Sequence, residues 1–360
     1  MDIIKSIKKY KREIYNDIIV DGKVLIKGAR ESSSRFEAIN SVIPKKASVL
    51  DLGCHLGYFT IQLAYKERDR IVVGMEGNYQ RARIAADVAE ANKLNNVIIL
   101  NNLFTENIAQ RWGRSCEAFS SVLLLNVLHH CKKDQIEGII EGISMLAPQL
   151  IIETPNVDED SACGTKEHRE IIDAIKINNY VKQRIAETQT HTLKRKGKNG
   201  VLKRPMYLFQ NDNWGKQVTR PHYAHSTPSK HNHKIEFLNG CFVHKNRVWD
   251  VGVNIGTMVA LNMVYPEKKT LFALIEKTLN NHKGPLYDLN LWNMVYTPNG
   301  IKIIDFNNWL EKKSNKQEAI GKLEKQYDIL KKEGAKPLQV QNFKNWVKHV
   351  IVGLLGRYKN

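Results

Sequence analysis

Cysteine and proline are scarce in this chain, at 5 and 10 of its 360 residues. Cys54, Cys116, Cys131, Cys163 and Cys241 are scattered, odd in number and never spaced as CxxC, which excludes a small disulfide scaffold and reads as reduced cytosolic thiols. No stretch reaches the ~18 uninterrupted apolar residues of a membrane span. The first residues lack an apolar run ahead of a small-residue cleavage site, so the expectation is a cytoplasmic protein. No repeat of ~20–50 residues is visible. Acidic residues are in deficit, 37 against 55 basic ones, for a net charge of +18. The deficit is local: residues 1–160 hold 21 of each sign, and the remainder holds 34 basic against 16 acidic. A neutral part and a basic part predict two surfaces with different partners.

The hydrophobic fraction, 42%, is enough for a buried core, and the length suggests about two domains. Residues 3–18 place Ile3, Ile4, Ile7, Tyr10, Ile14 and Ile18 at helical spacing. From residue 48 to about 155, apolar runs at Ser48–Leu52, Ile71–Glu76, Asn96–Leu100, Ser121–Asn126 and Gln149–Glu153 alternate with helical patterns. That alternation predicts an α/β fold with a parallel sheet covered on both faces. Residues 157–187 read as helix, 204–209 as a further strand, and 210–233, rich in Pro, His, Asn and Ser, as a linker. A strand pair is expected near 234–249, a helix around 266–281, a hairpin from Met294–Tyr296 and Ile301–Phe306, and charged helix after 310.

Two constellations carry chemistry. Val49-Leu-Asp-Leu-Gly-Cys-His-Leu-Gly-Tyr-Phe-Thr60 closes the first strand and opens a helix, and Gly53 and Gly57 let the backbone turn sharply and approach a ligand. Val72-Val-Gly-Met-Glu76 ends the next strand in an acid placed to accept hydrogen bonds from both hydroxyls of a ribose. The glycines do not fit the GxGxxG dinucleotide fingerprint. The segment resembles the D-x-G-x-x-x-G motif of class I S-adenosylmethionine-dependent methyltransferases. The resemblance implies a Rossmann-like sheet with Asp51, Gly53 and Gly57 around the methionine end of that cofactor and Glu76 on its ribose. Asn102 and Leu103 would flank the adenine, and Asn126-Val-Leu-His-His130 would line the methyl-transfer site. His129 or His130 would act as a base toward a hydroxyl or amine acceptor, or only wall the pocket; an anionic acceptor needs positive charge and no base.

The second constellation is Tyr287-Asp-Leu-Asn-Leu-Trp-Asn-Met-Val-Tyr296 followed by Ile301-Lys-Ile-Ile-Asp-Phe306. It resembles the catalytic loop and metal-binding Asp of protein-kinase-like phosphotransferases. By that resemblance Asp288 accepts a hydroxyl proton, Asn293 and Asp305 hold Mg²⁺ on ATP, and Lys245 pairs the phosphates. Leu286-Tyr287 and Asn307 depart from the family pattern, and the short span after Phe209 leaves kinase activity open.

Together the two halves resemble the bifunctional methyltransferase–kinase that caps bacterial O-antigen polysaccharide chains. Glu13-Ile-Tyr15 and Arg35 match the family pair that contacts the cofactor's methionine part, and Thr190-His191 with Arg204-Pro-Met-Tyr-Leu208 matches the close of its methyltransferase domain. The implied division is a methyltransferase domain over 1–215, a reduced α+β kinase-like domain over 216–310 and basic helices over 311–360. The implied acceptor is a glycan or phosphorylated glycan. A nucleic-acid methyltransferase, or a non-catalytic half that docks an anionic polymer, are the alternatives; Gln189–Arg204 is basic but lacks the aromatics that stack bases. The histidines of Pro221–His233 match no zinc spacing. Phe343, Trp346, Val347, Val350, Ile351, Leu354 and Leu355 form an apolar stripe opposite Lys344, Lys348 and Arg357. Such a helix suits the inner surface of an anionic membrane, or a partner helix. Oligomeric state is not legible.

Overall fold

A computed structural model describes residues 4–5, 7, 10, 14–30, 32–113, 118–157, 165–189, 203–214, 236–238, 241–244, 247–250, 253–282, 289–297, 300–303 and 315–333. The chain begins with an antiparallel hairpin, β1 (Ile18–Val20) and β2 (Lys23–Ile26). Of the expected first helix, residues 4, 5 and 7 are helical and residues 14–17 are not. Asp21 and Gly22 both adopt positive φ, 49° and 74°, the conformation an Asp-Gly hairpin turn requires, and the strand this turn pairs already includes Ile18. Helix α1 (Ser33–Val42) follows.

The five expected parallel strands are present: β3 (Ser48–Leu52), β4 (Ile71–Met75), β5 (Val97–Leu100), β6 (Ser121–Leu125) and β7 (Gln149–Glu153). Their uninterrupted apolar runs are buried on both faces, as parallel strands under helices must be. Val49, Val72, Val97 and Leu123 share a core with α1, α2 (Tyr58–Lys66) and α3 (Tyr79–Ala91). Leu50, Val73, Ile98, Val122 and Leu124 pack on the other side with α4 (Glu106–Gly113) and α5 (Ile136–Ser144).

The stretch expected as one helix over 157–187 is a correction. Among the described residues of that stretch, α6 (Lys166–Asp173) is helical; after Asn179, at φ 67°, the chain returns as β8 (Val181–Gln189). Lys, Gln, Arg, Ala and Glu in that segment favour helix by propensity. Pairing along the whole of β9 (Lys203–Gln210) imposes a strand instead. The large sheet runs β5-β4-β3-β6-β7-β9-β8, with one more strand from later in the chain against β5. Strands β5 to β7 are parallel, β9 lies antiparallel to β7, and β8 lies antiparallel to β9. A doubly wound sheet closed by an antiparallel strand set inside its edge is the class I methyltransferase arrangement. Its strand order reverses between β3 and β6, which puts the ligand crevice outside the carboxyl ends of those two strands.

The rest of the chain is partly as expected. The pair near 234–249 is three strands, β10 (Glu236–Leu238), β11 (Cys241–His244) and β12 (Arg247–Asp250). Then come β13 (Val253–Asn254), α7 (Ile255–Ala260), β14 (Met263–Tyr265), α8 (Lys268–Asn281), the hairpin β15 (Met294–Thr297) and β16 (Gly300–Ile303), and α9 (Lys316–Glu333). Strand β14 pairs antiparallel with β5 and so becomes an edge of the large sheet. Met258, Leu271, Leu291 and Leu323 continue the core that Leu50 and Val122 begin. The sheet and its core therefore draw on both sides of the boundary expected at residue 215. Among the described residues no helix is long and apolar enough to cross a membrane.

Helix α7 sits tightly on the turn before β15: a Cβ at Gly256 would lie 2.5 Å from Cδ2 of Trp292. Gly256→Ala is expected to destabilise the protein by about 1–3 kcal/mol through overpacking, measured by urea unfolding. An unchanged midpoint would show that the indole yields freely.

Candidate functional site

The turn after β3 is stitched to the turn after β4. The N–H groups of Gly53 and Cys54 both donate to the Met75 carbonyl, at 2.8 and 3.0 Å. Gly53 and Gly57 have φ of 72° and 83°, where a side chain is strained. A Cβ on Gly53 would also lie 2.7 Å from a Val127 methyl, and one on Gly57 2.9 Å from Cβ of Ala85. The Glu76 carboxylate completes the link: Oε2 accepts from His55 N at 3.0 Å and Oε1 from Asn78 N at 2.8 Å. Arg81 stands 3.8 Å from the same carboxylate. Glu76 is thus fixed by two backbone donors at the strand ends, with lone pairs left to accept from a ligand.

A second set converges from the other side of the switch point. Arg35, on α1 and only 5% exposed, donates to Glu153 at the end of β7 and lies over the Phe59 ring at 4.8 Å. Asn126, at φ 59° after β6, donates its side-chain amide to the same Glu153 oxygen and its N–H to the Glu153 carbonyl. Arg30 stacks on Tyr15 at 5.1 Å, and Tyr15 meets the His55 ring edge-on at 5.7 Å. Burial, then the nearby Arg204 and Arg35, lower the Arg30 pKa. Arg30 Nε, Arg35 Nε, both ring nitrogens of His55 and Oδ1 of Asn126 are buried without hydrogen-bond partners. Orphaned buried polar atoms are rare and call for an occupant. Here donors and an acceptor line one crevice, which fits a ligand carrying both a carboxylate and an ammonium, such as the methionine part of S-adenosylmethionine.

The remaining expected residues of the first constellation stand around the same crevice. Asp51 is buried and accepts from the Thr60 hydroxyl at 2.6 Å. Burial pushes its pKa up to about 6, against the opposing pull of the Thr60 hydrogen bonds and Arg35. His55 is pushed down to about 4 by burial, then by Arg81 and Arg30, so it is neutral at physiological pH. His129 and His130 lie ring to ring at 4.0 Å; burial and Arg81 lower the His130 pKa, against the pull of Glu76. Leu103 is 68% exposed and its Cδ1 would lie 3.0 Å from a Cβ at Gly77, so it overhangs the turn that follows Glu76; Asn102, half-buried, precedes it.

The fold is similar to that of WbdD, a bifunctional kinase-methyltransferase. One WbdD structure aligns at 17% identity over 85% of this chain and 82% of that chain, with a TM-score of 0.45. Another, at 2.2 Å, aligns at 18% over 70% of this chain and 54% of that chain, with a TM-score of 0.44, so this chain spans about half of its length. Magnesium protoporphyrin IX methyltransferase from Synechocystis PCC 6803, with bound S-adenosylmethionine, aligns at 16% identity over 49% of this chain and 78% of that one, TM-score 0.36. No family model matches the sequence, and no curated protein matches it.

Of the four candidate site residues of the second constellation, Asn293 lies among the described residues; Asp288, Asp305 and Lys245 fall outside them, as do the histidines of 221–233 and the stripe over 342–357. Asn293 is buried in the turn that enters β15, where its N–H donates to the Asn290 side chain at 3.0 Å. Among the described residues no group of three or more His, Cys, Asp or Glu is placed to hold a metal ion. Sequence reasoning missed Glu153, Arg30 and His55. Glu153 carried a usable signal: like Glu76, it is an acid that ends an apolar strand at the crevice.

Asp51 gives a signed prediction. Its folded pKa exceeds the ordinary 3.8, so between pH 4 and 6 the folded chain holds a proton that the unfolded chain has lost. This group's contribution to stability therefore falls as pH rises toward 6. Asp51→Asn keeps an acceptor for Thr60 and removes the buried charge. Its Tm relative to the parent is expected to be higher at pH 8 than at pH 5; equal differences would contradict the shift.

Proposed function

We propose that this chain is a S-adenosylmethionine-dependent methyltransferase whose acceptor is a glycan or a phosphorylated glycan. The observation that carries the methyltransferase reading is the Glu76 clasp, set between two positive-φ glycines at the switch point and faced by the orphaned groups of Arg35, His55 and Asn126. Glu76 would accept from the ribose hydroxyls, Leu103 and Asn102 would cover the adenine, and Arg35 with Tyr15 would hold the carboxylate end. When bound, the cofactor supplies a methyl group already activated on a sulfonium. The chain's own task is then to orient an acceptor oxygen in line with it and to exclude water.

The charge pattern supports an anionic acceptor. His55 is neutral, so it adds no cation beside the sulfonium. An anionic oxygen needs no proton removed, which leaves His130 a wall of the pocket rather than a base. The basic excess beyond residue 160 lies in the part of the chain that would meet a phosphate or an anionic polymer. Attachment to a membrane surface through residues 342–357, and phosphorylation of the acceptor by Asp288, Asn293 and Asp305 with ATP and Mg²⁺, extend the same reading.

The test offers a methyl-labelled donor with a neutral oligosaccharide, a phosphorylated oligosaccharide or RNA, with and without ATP and Mg²⁺, and reads products by mass spectrometry. Label on a glycan is expected, at least roughly 100-fold slower with Glu76→Ala, the loss of about 3 kcal/mol of ligand contacts. Label on RNA alone would replace the glycan by a nucleic acid. A phosphoryl mass gain that disappears in Asp305→Ala would assign kinase activity to the second half.

A further inference from the structure

The second half of the chain reaches the cofactor crevice through one continuous set of hydrogen bonds. Asn262 closes α7 at φ 60° and leads into β14. Its carbonyl accepts from Asn101 N at 3.1 Å, and its side-chain amide donates back to the Asn101 carbonyl at 3.2 Å. The Asn101 side chain then donates to the carbonyls of Glu76, at 3.0 Å, and Gly77, at 3.3 Å. At the far end, Lys331 of α9 donates its ammonium to Asn262 Oδ1 at 2.8 Å and to the Met263 carbonyl.

Lys331 is a costly residue in this place. It is half-buried, and no carboxylate lies within ion-pair distance of it among the described residues. Taking an ammonium partly out of water costs free energy that only neutral oxygens offset here. Charge-assisted hydrogen bonds are stronger than neutral ones and polarise the bonds that follow them in a chain. Two further bonds fasten the turn that enters β5: the hydroxyls of Tyr265 and Tyr296 donate to the carbonyls of Leu94 and Asn95. Strand β5 and the residues after it, which carry Asn102 and Leu103, are thus held at both ends by the second half.

We propose that Lys331, acting through Asn262 and Asn101, is a positioning residue for the adenosine part of the methyl-donor site. Asn262 and Lys331 then complete that site from outside the strand–glycine–helix motif. The proposal rests on the methyltransferase reading and adds to it a dependence of donor binding on the second half. Asn101 is the element that conveys it, because its amide holds the backbone of Glu76 and Gly77.

The test is calorimetric titration of the full chain with S-adenosylmethionine and with 5′-methylthioadenosine, which keeps the adenosine and lacks the amino and carboxyl groups. The variants are Lys331→Met, Lys331→Arg and Asn262→Gly; glycine suits the positive φ at 262 and removes only the amide. Lys331→Met and Asn262→Gly are expected to weaken both ligands by the same factor, roughly tenfold, with melting temperatures close to the parent. Lys331→Arg keeps the cation and restores most of the affinity. Parental affinity in both weakening variants would overturn the proposal, as would a loss confined to S-adenosylmethionine. If the parent binds neither ligand, the methyltransferase reading falls and takes this one with it.

Discussion

The crevice depends on one carboxylate held by two backbone donors. Glu76 ends β4, yet its oxygens bond to N–H groups on either side of it, His55 in the turn after β3 and Asn78 at the start of α3. Two adjacent strand ends and the helix between them and β5 are thereby fixed against each other. The glycines at 53 and 57 are the condition for this, since a side chain at either would strike Val127 or Ala85 and push the turn away from the acid. What remains open to a ligand is the outer side of a charge that is already rigid.

Around that fixed point the charges are arranged with economy. Arg35 and Glu153 form a buried pair, an arrangement that contributes little net stability but costs several kcal/mol to break from one side. Asn126 shares the same Glu153 oxygen, so the ends of β6 and β7 and helix α1 are held as one wall. His55, whose N–H bonds to Glu76, is kept toward the neutral form chiefly by burial. Positive charge is concentrated instead in arginines, which cannot lose it.

Legibility in the sequence followed the range of the interactions. Gly53, Gly57 and Glu76 were readable because a turn, a helix start and the next strand end fall within a few dozen residues. The five buried parallel strands were readable because each is an unbroken apolar run. Strand β8 was not: its Lys, Gln, Arg, Ala and Glu favour helix, and only pairing with β9, reached through a span that gives no local cue, makes it a strand. Asn101, Asn262 and Lys331 were invisible for the same reason in stronger form. They are ordinary surface-type residues, 161 and 69 positions apart in successive contacts, and nothing in their neighbourhoods announces that β14 joins β5. The change in charge after residue 160 follows the partners a surface would meet, whereas the hydrogen bonds between β14 and β5 follow the sheet.

The role proposed for the β3–β6 crevice is that of a nucleoside site for a methyl donor and not for a dinucleotide. Isothermal titration of the full chain with S-adenosylmethionine, with NAD⁺ titrated in parallel, tests it most directly. One S-adenosylmethionine per chain is expected, displaced by S-adenosylhomocysteine, with no heat from NAD⁺. Silence with S-adenosylmethionine, or saturable binding of NAD⁺ in its place, would contradict it.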